Sequence, residues 1–235
     1  MNFQTGEIIA IDKPYHMSSF GALAHIRYVL SKFLHHKVKI GHAGTLDPLA
    51  TGVLVLCTGK KTKEIEQLQT HTKEYTATLQ LGATTASYDL EHTVNHTYPT
   101  RHITRQLIEE TLPQFVGDIQ QVPPTYSAVK VNGDRAYALR RAGEDVTLKP
   151  KNVRIDEIEL THYDDDKQLG LRVVCGKGTY IRSLARDLGR ALGSGAFLTE
   201  LRRTRVGDFT VDNCVSFENF REWLEQQDIE DIHQV

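Results

Sequence analysis

The stretch Gly41-His42-Ala43-Gly44-Thr45-Leu46-Asp47-Pro48-Leu49-Ala50-Thr51-Gly52 constrains this chain more than any other. It places one carboxylate, Asp47, in a glycine-dense loop stopped by proline, directly ahead of the apolar run Val53-Leu54-Val55-Leu56-Cys57. Glycine permits backbone angles and close approaches that a side chain forbids, and Pro48 restricts Asp47 to extended conformations. A carboxylate so held, at the mouth of a buried strand, has the setting of a catalytic acid. An Asp-Pro turn that merely leads into a strand is the competing reading.

The neighbouring segments predict an α+β chain. Glu7–Ile11 reads as a short strand broken by Asp12-Lys13-Pro14, and Ser18 or Ser19 can cap a helix bearing Phe20, Leu23, Ile26, Leu30 and Phe33 at helical spacing. Lys73–Gly82 alternates, with Tyr75, Ala77, Leu79 and Leu81 on one face, so one-sided burial in an antiparallel or mixed sheet is expected. A helix is expected over 103–115, strands over 153–163 and 170–175, and a last amphipathic segment over 217–224. Gly176–Gly189 reads as a glycine-rich turn feeding a helix with Ile181, Leu184, Ala185 and Leu188 inward and Arg182 in its first turn. An arginine there opposes the helix dipole, so an anionic partner is expected.

Composition bounds the function. No window approaches the roughly 20 apolar residues of a membrane span, and Met1–Glu7 has neither a basic flank nor an apolar core, so a cytoplasmic chain is expected. Cys57, Cys175 and Cys214 have no metal-like spacing, Gly59–Lys63 lacks the spacing of a phosphate loop, and the acidic turn Asp164–Asp166 has no accompanying carboxylate cluster; no metal or cofactor is expected. A formal net charge of −2 argues against nucleic acid, yet the charge is segregated. Residues 216–235 carry six acids against Arg221, whereas 172–205 holds eight bases against Asp187 and Glu200, and 123–152 holds six bases against three acids. Such basic stretches make an anion-facing surface.

Five separated motifs, between about residues 8 and 217, resemble the TruB-type tRNA pseudouridine synthases. They are Asp12-Lys13-Pro14 with Met17-Ser18-Ser19; Gly41–Gly52, matching G-H-x-G-x-L-D-P-x-A-x-G at each fixed position; Pro123–Lys130; Gly178–Arg182; and Leu198–Arg203. The resemblance implies a single catalytic domain over 1–235: a mixed, mainly antiparallel sheet with flanking helices, a mobile thumb-like RNA-binding insertion at 123–152, an acidic C-terminal segment at 216–235, and no PUA module. It implies isomerisation of uridine 55 in the T-arm stem-loop of tRNA, by a monomer with no protein partner and no cofactor. The same resemblance gives the roles: Asp47 as catalytic carboxylate, Arg182 as its ion-pair partner and Tyr75 in the pocket. His42 takes the space of the flipped base, Leu201 forms an apolar wall, Lys13 supports the loop, and Tyr180 and Lys130 bind substrate. One departure stands out: Thr84–Asp89 carries Ala86 where the family usually has an acid, while Asp89 is kept. A tRNA-folding chaperone with secondary or no catalysis is the alternative function.

Overall fold

The computed structural model describes residues 1–127, 129–131 and 133–230, the side chains of Lys130 and Val131 excepted. In chain order its elements are β1 (Ile8–Lys13), α1 (Ser19–Phe33), β2 (Ile40–His42), β3 (Ala50–Thr58), α2 (Ile65–Leu68), β4 (Lys73–Leu81), β5 (Ala83–Thr85), β6 (Val94–Thr97), α3 (Arg105–Thr111) and β7 (Gly117–Gln121). There follow β8 (Lys130–Val131), β9 (Asp134–Arg135), α4 (Ala136–Arg141), β10 (Lys151–Tyr163), β11 (Gln168–Cys175), α5 (Ile181–Ala191), β12 (Ala196–Val206), β13 (Phe209–Thr210), β14 (Val215–Ser216) and α6 (Phe220–Glu225). They form two compact units, one of Met1–Glu74 with the residues from Arg202 onward, the other Tyr75–Leu201.

In the first unit β1 pairs antiparallel with β3, from Ile8↔Cys57 to Lys13↔Gly52, and parallel with β14; β2 pairs antiparallel with β3. The apolar run of β3 is uninterrupted because both of its faces are covered. Leu54 and Leu56, with Ile9 and Ile11 of β1, meet Ala22, Leu23, Ile26 and Leu30 of α1 and Phe217, Phe220 and Leu224. Val53, Val55 and Cys57 point the other way, toward Ala43, Leu68 and Val206. Ser18 is the residue that caps α1, its hydroxyl accepting from Gly21 N–H at 3.0 Å.

In the second unit the strand order is β12-β4-β11-β10-β7, with the antiparallel registers Ile155↔Cys175 and Lys151↔Gln121, and β5–β6 forms a separate ribbon. Tyr75, Ala77, Leu79 and Leu81 are buried as their alternation requires, and so are Ile181, Leu184, Ala185 and Leu188 of α5. The sheet is thus mixed and mainly antiparallel. One helix differs from expectation. The segment 103–115 is helical only over α3 and continues as a 3-10 turn from Leu112 to Phe115, because Pro113 has no N–H to donate into an α-turn. The amphipathic segment 217–224 packs in the core beside α1 through Phe217, Phe220 and Leu224, with α6 starting at Phe220. Cys57 and Cys175 are buried and in no disulfide among the described residues, as expected of packing cysteines. No helix among the described residues is long and apolar enough to cross a membrane, and no group of three His, Cys, Asp or Glu among them could hold a metal ion.

Candidate active site

In the first unit the loop carrying Asp47 is bound to its surroundings by backbone and side-chain bonds on several sides. The Asp47 carbonyl accepts from Ala50 N–H at 3.0 Å, closing a turn with Asp at its first position and Pro48 at its second, an arrangement both residue types favour. One residue earlier, the Ser19 hydroxyl accepts from Leu46 N–H at 2.7 Å and donates to Leu46 C=O at 3.0 Å. Ser19 is therefore no helix cap. It couples the first turn of α1 to the peptide next to Asp47.

Arg203 lies beneath the loop with 1% of its surface exposed. Its Nε–H donates to Val53 C=O at 2.8 Å and an Nη–H to Gly44 C=O at 3.1 Å, so one guanidinium joins β3 to the loop. Its approach depends on Gly52, which has φ +103° and where a Cβ would stand 2.2 Å from the Arg203 carbonyl oxygen. Lys13 is fully buried, with its ammonium donating to Pro14 C=O at 2.8 Å and Met17 C=O at 2.6 Å. Burial pushes its pKa down to about 8; the carboxylates of Asp47 and Asp12 act in the opposite direction, and Arg203 adds to the depression. His42 ends β2, half-buried, with a buried Nδ1 that has no hydrogen-bond partner among the described residues. Desolvation, then Arg203, lower its pKa, so the ring is neutral at neutral pH.

In the second unit Arg182 stands at the second position of α5, almost fully buried. The anion expected of an arginine there includes Asp89, whose carboxylate lies 3.6 Å from Nε. Asp89 is itself buried and accepts from the Ser87 hydroxyl at 2.5 Å and Glu91 N–H at 3.0 Å. Arg182 also donates to Ser87 C=O at 3.2 Å and Tyr126 C=O at 3.0 Å. The start of α5 is bound to the segment before residue 123: the Gln121 amide accepts from Tyr180 N–H and donates to Tyr180 C=O, and Ser183 and Arg186 both donate to Val122 C=O. Tyr180 precedes the helix, Tyr75 is buried on β4, and Leu201 is half-buried on β12. The Lys130 side chain lies outside the described residues.

Each unit therefore gathers part of the predicted set, with Lys13, His42 and Asp47 in one and Tyr75, Tyr180, Arg182 and Leu201 in the other. Three residues that hold these groups escaped assignment from sequence. Ser19 was legible only as one of two cap candidates, Arg203 only as the second arginine of Leu201-Arg202-Arg203, and Asp89 only as the acid kept beside Ala86.

Comparison with known proteins follows the same lines. The family model described as TruB family pseudouridylate synthase (N terminal domain) matches residues 31–181, and that of the tRNA pseudouridylate synthase B C-terminal domain matches 182–235. The chain is 59% identical to a tRNA pseudouridine synthase B of Phocaeicola vulgatus, over 99% of both chains, and 58% identical to that of Bacteroides thetaiotaomicron, over 98% of both. Among solved structures it is similar to a chain of a Cbf5-Nop10-Gar1 complex, with TM-score 0.69 and 29% identity over 95% of this chain and 56% of that one. Buried Asp-loop braces, an arginine-led helix and near full-length similarity agree: the chain belongs to the TruB family of pseudouridylate synthases.

Proposed function

We propose that the protein isomerises uridine 55 in the T-arm stem-loop of tRNA to pseudouridine, with Asp47 as the catalytic carboxylate. The observation that carries this is the bracing of the Asp47 loop by Ser19, Arg203 and the Ala50 amide, which holds the backbone around a half-buried Asp47. Relatives of nearly the same length named tRNA pseudouridine synthase B support tRNA as the substrate.

The reaction breaks the bond from N1 to the ribose C1′ and forms one from C5 to C1′. The proton on C5 leaves and N1 gains one, so nothing is oxidised and no cofactor is consumed. Asp47 must be ionised to attack the nucleotide or to deprotonate what forms at the sugar. Arg182 is the cation we assign to it, with the Asp89 carboxylate 3.6 Å from Nε orienting that guanidinium. Tyr75 offers the base a flat face, Tyr180 lines the same pocket, and Leu201 excludes water so that the detached uracil is neither lost nor replaced by hydroxide. A base within a folded loop is reachable only once turned out of its stack. The neutral His42 ring fits the gap the base leaves, since stacking there needs no charge. Lys13 holds the chain between β1 and α1 that presents Ser19.

Residues 123–152, with six bases against three acids, are assigned the role of a thumb on the RNA, Lys130 included, within one catalytic domain that spans both units. The bond from Arg182 to Tyr126 C=O supports a link between that thumb and the active site. We take the enzyme to work as a cytoplasmic monomer, since one chain holds every residue named. The test is to treat a tRNA transcript with enzyme, derivatise pseudouridine with carbodiimide, and map primer-extension stops. A single stop one nucleotide 3′ of position 55 is expected, marking pseudouridine there; a stop that marks another uridine, or none, overturns the assignment.

A further inference from the structure

From Lys13 through Lys63 the sequence has a single acid, Asp47, against eight bases, in a chain whose formal net charge is −2. Most surface helices intersperse the two signs, because (i, i+4) pairs of opposite charge stabilise them. α1 has no acid at all. Its solvent side carries Arg27, Tyr28 and Lys32, all exposed, with the Lys32 ammonium 5.9 Å from the centroid of the Tyr28 ring. The turn that follows adds exposed Lys37 and Lys39. The 3-10 turn Gly59–Glu64 lies beside it, with Gly59 N–H donating to Lys39 C=O at 2.9 Å, and adds exposed Lys60 and Lys63, while its one acid, Glu64, is paired with Lys61 at 3.5 Å. Between α1 and the turn at 34–39 is a cavity of about 390 Å³ lined by Tyr28, Ser31, Lys32, His35, His36 and Lys37, without a carboxylate. Like charges so gathered repel one another, and exposed aromatic surface among them gains nothing from water. Both are relieved by a polyanion with flat or sugar faces, which is the footprint of an RNA backbone.

We infer that the outer face of α1, with the turns at 34–39 and 59–64, is a second RNA-docking surface that takes the phosphodiester backbone of the tRNA outside the T-arm stem-loop. The inference rests on the substrate proposed above. None of its residues is among those assigned to the reaction, so it contributes affinity and placement rather than chemistry.

The test uses the full chain carrying Arg27→Gln, Lys32→Gln and Lys37→Gln together, all exposed positions, with the thermal midpoint checked against wild type. Dissociation constants for a whole tRNA transcript and for the isolated T-arm stem-loop are measured across a salt series, beside rates of pseudouridine formation at saturating RNA. For whole tRNA the dissociation constant is expected to rise about tenfold, and the slope of log affinity against log salt to fall by about 2 to 3, since each phosphate contact accounts for somewhat under one unit. For the stem-loop neither should change, and saturating rates should match wild type on both RNAs. Whole-tRNA affinity and slope equal to wild type would overturn the inference, and so would equal weakening toward both RNAs, which would place these bases in the stem-loop site. Failure of the substrate reading is separately visible, as absence of pseudouridine with the wild-type enzyme on either RNA.

Discussion

At the scale of single residues, Ser19 and Lys13 hold the chain around Asp47 through bonds to backbone groups. Replacing Ser19 with Ala removes both bonds to Leu46 and strands a buried N–H, at a cost of about 1–3 kcal/mol. The turnover rate of Ser19→Ala should therefore drop while RNA affinity stays near wild type, a split read from single-turnover kinetics and filter binding. Lys13 predicts a pH dependence. Its folded pKa of about 8 lies below the ordinary 10.5, so between these values the unfolded chain binds the extra proton. Stability contributed by this group consequently rises from pH 8 toward 10.5, and below pH 8 the full cost of burying the charge is present. Denaturant melts of wild type and Lys13→Met should show the difference between them shifting in favour of wild type from pH 7.5 to 9.5. Asp47 and Arg182 are legible as candidates because one lies in the twelve-residue Gly41–Gly52 motif and the other opposes the dipole of the helix it begins. Ser19 and Arg203 are not, since a hydroxyl or guanidinium that bonds only backbone carbonyls and amides has no partner residue type for a sequence to display.

At the scale of elements, β3 and β12 carry the loop. Gly52 sits at φ +103° against the Arg203 backbone, and Gly52→Ala brings both a strained conformation and a clash with a carbonyl oxygen. On the order of 3 kcal/mol should be lost, lowering the thermal midpoint by roughly 10 °C, with catalysis impaired even where the protein remains folded. The periodic elements were readable in advance: α1 from its apolar spacing, β4 from alternation, and β3 from its continuous apolar run, whose two covered faces explain the absence of alternation. What escaped were short elements such as β2, β13 and β14. Two or three residues show no period, and their pairing is set by the strands they meet. The end of α3 escaped for a different reason. Thr104 and Thr111 make good local helix bonds, but Pro113 diverts the chain into a tighter turn that apolar spacing cannot reveal.

At the scale of the whole molecule, charge distribution matters more than net charge. An overall −2 would exclude a polyanionic substrate if the charge were evenly spread; the acids gathered after Ser216 and the bases elsewhere remove the contradiction. RNA binding should weaken steeply between 50 and 200 mM salt, by on the order of 10³-fold if six phosphates are contacted, as measured by filter binding. A salt-independent affinity would contradict this. The central claim, that Asp47 makes the new carbon–carbon glycoside, is tested most directly by tritium release from tRNA labelled at uracil C5, with wild type and Asp47→Asn compared at matched occupancy. Stoichiometric release by wild type and none by Asp47→Asn, with RNA binding retained by both, is the predicted result. Release by Asp47→Asn at a rate near wild type would contradict it.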